Sequence, residues 1–191
     1  MRDSLRCLMY LLRLSGPDTQ TSDAERQCLR KYAVGRRSLV EIGVYHGVNT
    51  RLLCESADPS AVVYAVDPFF TGKLGVSFNR MIAHSHVARA YRGRCVWIRD
   101  VSPTAASPGY IPSETSFDFV FIDGDHSYEA VRLDWETWTP RLTIGGIVAL
   151  HDSRGGLGAG SEVFTNEVIR TDQRFEVLET VDTLTVLGRR A

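Results

Sequence analysis

The chain has 191 residues, of which 43% are hydrophobic and 24% charged, and its formal net charge is -1. That length suits one domain with a sizeable core, and the near-neutral balance leaves no overall basic footprint for nucleic acid. Cys7, Cys28, Cys54 and Cys95 are scattered without a CxxC pair, so they read as small apolar residues of a reducing compartment rather than a disulfide or zinc framework.

Near the start, Leu5, Leu8, Met9 and Leu12 recur at i, i+3, i+4 and i+7, one face of a helix. That stripe is expected to pack on the domain or, in a homodimer, on a second subunit. The apolar run Cys7–Leu12 is short, Arg13 interrupts it, and no A-x-A-like site follows, so it does not read as a signal peptide. No run approaches the length of a membrane span, and a cytoplasmic protein is expected. After the break at "SGPDTQ", Ser22 and Glu25 have the spacing of a capping box opening a second helix that ends near Gly35.

Strands and helices then alternate. "SLVEIGVY" is strand one, Asn49 to Ala57 a helix, and "AVVYAVD" strand two, apolar almost throughout as a strand covered on both faces should be. A helix follows from Ser77 to about Tyr91, with Phe78, Met81, Ile82 and Val87 among its buried candidates. "CVWIRD" is strand three, and the prolines after it mark a short helix and loop. "FDFVFID" is strand four, and Ser127 to about Trp138 a helix whose Tyr128, Val131, Trp135 and Trp138 form a packing stripe. "GGIVALHD" is strand five, followed by the glycine-rich "SRGGLGAGS", a helix near Glu162–Arg170, and a tail that reads as an antiparallel hairpin around Asp182–Thr183.

This alternation predicts an α/β fold: a Rossmann-like, doubly wound, mostly parallel sheet with a C-terminal antiparallel hairpin. Residues 1–191 are expected to form one domain, with N-terminal helices over 1–36 and a core over 37–191. Ligands in such sheets sit beyond the carboxyl ends of the strands, where strand order reverses. Asp67, Asp100, Asp123 and Asp152 all fall at predicted strand ends, and Glu41 lies near the end of strand one. A lone post-strand Asp is most often a helix cap; four along one rim favour a shared site.

"EIGVYHGVNT", Glu41 to Thr50, carries Gly43 and Gly47 where the chain turns from strand to helix and approaches a ligand. It is not GxGxxG, which weakens a dinucleotide reading. With Asp67 ending strand two and "IRDVS" ending strand three, it resembles the S-adenosylmethionine site of class I methyltransferases. The resemblance implies that the loop, including Glu41, Gly43, Gly47 and Thr50, lies against the methionine part of the cofactor. It further implies that Asp67 bonds the ribose hydroxyls, that Asp100 and Val101 meet the adenine, and that Asp123 closes the cofactor site.

The stretch "FDFVFIDGDHSYEAVRLDWETWTPRLTIGGIVALHDS" narrows the likeness, which runs by motif order over roughly Ser38 to Ser153. It resembles the small-molecule O-methyltransferases grouped with macrocin O-methyltransferase and the so-called cephalosporin hydroxylases. Members acting on macrolide sugars use a divalent metal and a histidine base, so the resemblance implies a sugar or glycoside hydroxyl as acceptor and Mg²⁺ or Mn²⁺ as metal. Asp123 and Asp152 match the first and last metal-ligand acids, and His126 matches the base. Where relatives can show Glu–Asp at the end of strand five, this chain has His151–Asp152; an imidazole there shifts preference towards Mn²⁺, Fe²⁺ or Zn²⁺. His151 equally suits the acceptor pocket without a metal.

Asp123-Gly124-Asp125-His126 stands where nucleic-acid amino-methyltransferases of this fold carry Asn/Asp-Pro-Pro-aromatic, which argues against a flipped base as acceptor. A catechol-type metal-dependent O-methyltransferase and a noncatalytic cofactor-binding module are the alternatives. Asp125 and Ser127 read as helix caps, and the loop Gly155 to Gly160 as either a lid or a plain connection.

Overall fold

The β-branched and aromatic runs pair into a seven-stranded sheet of order β3-β2-β1-β4-β5-β7-β6. Its strands are β1 (Ser38–Ile42), β2 (Val62–Val66), β3 (Arg94–Ile98), β4 (Phe117–Ile122), β5 (Leu142–Leu150), β6 (Phe175–Val181) and β7 (Leu184–Arg189). The first five are parallel, and β7 runs antiparallel between β5 and β6. The expected sheet and terminal hairpin are therefore both present. This computed structural model describes residues 3–72, 75–89, 94–156 and 158–191, so the end of the predicted helix at Tyr91 lies outside the described residues.

Alternating residues of each strand enter separate cores. Val40 and Ile42 face α5 (Ser102–Ala105), α6 (Tyr128–Trp138) and α7 (Gly160–Glu167). Leu39, with Phe119 and Phe121, faces α2 (Asp23–Ala33), α3 (Val48–Ser56) and α4 (Phe78–Ala88). Both faces of the sheet are thus covered, which accounts for strands apolar almost throughout. Trp135 and Trp138 are buried as the stripe in α6 requires. Ser22 and Glu25 make the full capping box at α2, and Ser127 caps α6.

Two sets of apolar side chains do not pack on the domain. The helix α1 (Asp3–Leu11) packs on α4 through Cys7 and Tyr10 against Ile82, so Leu5, Leu8 and Leu12 turn outwards, 49%, 52% and 59% exposed. The docked face is the one carrying a tyrosine and a cysteine; the leucine stripe does not pack on the domain. Met81 is also turned out, 44% exposed, because neighbouring Ile82 and Ala83 fill the buried face of α4. Strand β5 begins at Leu142, ahead of the predicted Gly145.

The parallel strands end level with one another: Ile42 pairs with Val66 and Ile122, Val66 with Ile98, and Ile122 with Leu150. One further rung then holds the first residue beyond β1, β2, β4 and β5. Gly43 N donates to Val66 O at 2.9 Å, Asp67 N to Ile98 O at 3.1 Å, Asp123 N to Ile122's neighbour Ile42 O at 2.8 Å, and His151 N to Ile122 O at 3.0 Å. Gly43 sits at φ 88°, and a Cβ there would lie 2.0 Å from the Asp123 carbonyl oxygen. Its need for glycine is met by protein backbone, before any ligand is considered.

Gly43→Ala should therefore cost at least about 3 kcal/mol, since it combines left-handed strain with an overlap against β4. Gly16, with nothing within 4 Å of an added Cβ, is the control, and Gly16→Ala should stay within about 0.5 kcal/mol. Urea unfolding of the two variants checks this; equal midpoints would refute it.

Candidate active site

A cavity of about 510 Å³ opens over the rim between β1 and β4, where strand order reverses, the place a doubly wound sheet offers a ligand. Its walls are the β1–α3 loop (Gly43, Val44, Tyr45), Asp67–Pro68, Asp100–Pro103, Asp123–His126, and Ala130, Leu133 and Asp134 of α6. A strap from the N-terminal region, Asp18 to Gln20, closes one side. It is held by Asp18 N donating to His46 Nδ1 at 3.0 Å and by the Arg6–Asp18 ion pair.

Of the predicted cofactor residues, Gly43, Asp67, Asp100, Val101 and Asp123 line the cavity; Glu41, Gly47 and Thr50 do not. Glu41 points into the core between the sheet and α3 and is fully buried, as is Thr50. Burial pushes the Glu41 carboxyl well above its ordinary value, and the charges of Asp123 and Asp67 add to the rise. Gly47 caps α3 at φ 75°, where a Cβ would press on Ala83. These three shape the loop from behind.

Asp67 carries more than its strand-end position disclosed. Its Oδ2 accepts from Val44 N at 2.9 Å and Tyr45 N at 3.0 Å, and Oδ1 accepts from Phe69 N at 2.7 Å. The carboxylate thereby pins the glycine loop to the end of β2. Asp100 accepts from Val101 N and from the Tyr110 hydroxyl, both at 2.8 Å.

At the β4–β5 end, the strand rungs bring Asp123, His126, His151 and Asp152 together. His151 Nδ1 lies 2.9 Å from Asp123 Oδ1 and 3.6 Å from Asp152 Oδ2, and His126 Nε2 lies 3.3 Å from Asp152 Oδ2. His151 is buried and its two ring nitrogens have no well-directed hydrogen bond, although carboxylates stand close to both. Burial alone would depress its imidazole; Asp123, Asp152 and Glu25 outweigh that and push it up to about 9. Asp123, His126 and His151 each place one ligand atom within 4.8 Å of the others. Asp123 with the rings of His126 and buried, underbonded His151 fits a divalent metal, and the mixed nitrogen and oxygen donors suit Mn²⁺, Fe²⁺ or Zn²⁺ better than Mg²⁺.

Ser161 ties this cluster to α7. Its backbone N–H donates to His126 O at 3.0 Å and its hydroxyl to Asp152 O at 2.6 Å. A Cβ on Gly160 would lie 2.1 Å from Tyr128 N, so this end of the glycine-rich loop is seated on the His126 turn. Asp152 adopts φ 49°, a left-handed conformation that Asp tolerates better than most residues.

Three residues escaped the sequence reading. Asn49 donates to Asp123 Oδ2 at 3.4 Å and accepts from Thr21 Oγ1 at 3.1 Å; at a helix start nothing in the sequence marks it. Glu25 reaches His151 but is hidden behind its capping-box role. Asp134 did leave a signal: an acid three residues after Val131, on the buried side of α6. It is 4% exposed and lines the cavity, and burial pushes its carboxyl up to about 6.

A model for the methyltransferase domain matches residues 40–153, and the chain belongs to that family, the class I S-adenosylmethionine-dependent methyltransferases. The fold is shared with CalS11, a TDP-rhamnose 3'-O-methyltransferase of calicheamicin biosynthesis, at 17% identity and a TM-score of 0.63 over 86% of this chain and 76% of that one. It is shared too with cofactor-bound Rv0187 from MTB, at 18% identity and a TM-score of 0.67 over 100% and 90%. An uncharacterized protein, y4gI of Sinorhizobium fredii, is 26% identical over 130 residues, which are 64% of this chain and only 14% of that relative's length. Among the described residues, no helix is long and apolar enough to cross a membrane.

The raised carboxyl of Asp134 has a measurable sign. Its folded value of about 6 lies above the ordinary 3.8 of an aspartate, so between those values the folded chain holds a proton that the unfolded chain releases. Stability therefore falls as pH rises from about 4 to 6, by up to about 3 kcal/mol. Asp134→Asn removes that fall. Denaturation of the cofactor-free protein should show the variant gaining on wild type over this window and holding its gain above it; parallel pH profiles would refute it.

Proposed function

We propose that this protein transfers the methyl group of S-adenosylmethionine to a hydroxyl of a small molecule, a sugar or glycoside, with His126 as general base and a divalent metal at Asp123, His151 and Asp152. The observation that carries the reading is the placing of His126, partly open to solvent, 3.3 Å from Asp152 and beside buried His151, which lies 2.9 Å from Asp123. The cofactor would lie along the cavity, with Asp67 facing its ribose, Asp100 and Val101 its adenine, and the β1–α3 loop its methionine end. Glu41, Gly47 and Thr50 would serve it indirectly, through the shape of that loop. The sugar class follows the motif resemblance and the substrate named for CalS11. Phe70, 81% exposed at the cavity rim, offers an apolar face to such an acceptor.

The sulfonium methyl is already electrophilic, so the protein's task is alignment and proton removal. His126 takes the hydroxyl proton on Nδ1, the ring nitrogen away from Asp152, as the oxygen–methyl bond forms and the sulfur–methyl bond breaks, leaving S-adenosylhomocysteine. Asp152 orients the ring and stabilises the imidazolium that results. A bound divalent cation supplies Lewis acidity that lowers the pKa of the hydroxyl. The strap and loop walls fix the approach of the acceptor, and such positioning carries much of the rate.

The test is transfer of labelled methyl to a panel of glycosides and catechols, followed by single-turnover kinetics on the best acceptor. His126→Ala should lower the rate about 10²–10⁴-fold with unchanged cofactor affinity, and chelator should abolish transfer until Mn²⁺ or Mg²⁺ is restored. A variant rate within a few-fold of wild type would remove His126 as base, full activity in stripped protein would remove the metal, and preference for catechols would replace the sugar.

A further inference from the structure

Glu25 lies in α2, outside residues 40–153 that define the family match, yet it ends against the catalytic rim. A capping-box glutamate ordinarily sits at a helix surface with one oxygen engaged; this one is 2% exposed. Its Oε1 accepts from Thr183 N at 2.9 Å and Thr183 Oγ1 at 2.7 Å. Its Oε2 accepts from Ser22 N at 2.7 Å and stands 3.4 Å from His151 Nε2. The carboxylate is thus held from two sides and presented to the imidazole.

A neutral imidazole has one N–H and one lone pair, and the partner of the first decides where the second points. Asp123 and Asp152 stand at Nδ1. If Asp123 alone acted on the ring, the proton would sit on Nδ1 and His151 could ligate nothing on that side. A proton kept on Nε2, on the side of Glu25 Oε2 3.4 Å away, leaves the lone pair of Nδ1 facing the two aspartates. We propose that Glu25 is the positioning residue that holds His151 in this form, so that Nδ1 serves a divalent transition metal beside Asp123 and Asp152. Helix α2 then belongs to the metal site. The inference rests on the metal reading above.

Calorimetric titration of the full chain with Mn²⁺ and with Zn²⁺, without cofactor or acceptor, tests it. Wild type should bind both, and Glu25→Gln should bind 10- to 100-fold more weakly, the usual effect of losing the carboxylate behind a ligating histidine. Ser22→Ala removes a capping contact at the same helix end; it should lower thermal stability while leaving metal affinity within twofold. Affinity unchanged in Glu25→Gln, or weakened as much in Ser22→Ala, overturns the assignment while leaving the metal site standing. Wild type that takes up neither ion overturns the metal reading and this inference with it. Should Glu25→Gln fail to fold, the ¹⁵N shifts of the His151 ring in Zn²⁺-loaded wild type decide: a protonated Nε2 is expected, and a protonated Nδ1 overturns the proposal.

Discussion

The site depends on one rung of hydrogen bonds beyond the ends of the parallel strands. Because β1, β2, β4 and β5 finish in register, the first residue past each is still held by its neighbour's last carbonyl. Gly43, Asp67, Asp123 and His151 therefore have sheet-like rigidity although they lie in turns. Precision at a catalytic rim is easier to reach this way than with side chains carried on free loops. The same rung brings the β1–α3 loop so close to β4 that position 43 admits no side chain.

The strand and helix succession was legible because the central strands β2 and β4 are apolar almost throughout and because α2, α4 and α6 begin at serine caps. The rim acids were legible because Asp67 and Asp123 directly follow β-branched or aromatic runs. What could not be read was direction. The periodicity of Leu5, Leu8 and Leu12 marks one helix face truly, but which face docks depends on α4, and Tyr10 with Cys7 made the better fit. Glycines 43 and 47 were read as room for a ligand, whereas the nearest obstacles are Asp123 and Ala83 of the chain itself. Contacts across long separations, Glu25 to His151 above all, have no local signature.

Charge at the rim is distributed rather than concentrated. Glu41 and Asp134 are both buried, and desolvation raises both carboxyls, yet only Asp134 faces the cavity. Asp67, by contrast, spends its oxygens on three backbone donors. Such a carboxylate is already oriented, with lone pairs remaining for a ligand's hydroxyls. Removing it would release the loop as well as any ligand, so its loss cannot be equated with one contact.

Gly160 and Ser161 are seated on the His126 turn and on the Asp152 carbonyl, while the stretch before them departs from Ser153, itself bonded to Leu150, Thr183 and Thr185. Both footings of that loop are therefore set by the scaffold, independently of what lies between. Insertions or deletions between the footings can accumulate without disturbing His126 or the acids beside it. Divergence towards new acceptors has an obvious place to begin, and it need not retune the chemistry each time the loop changes.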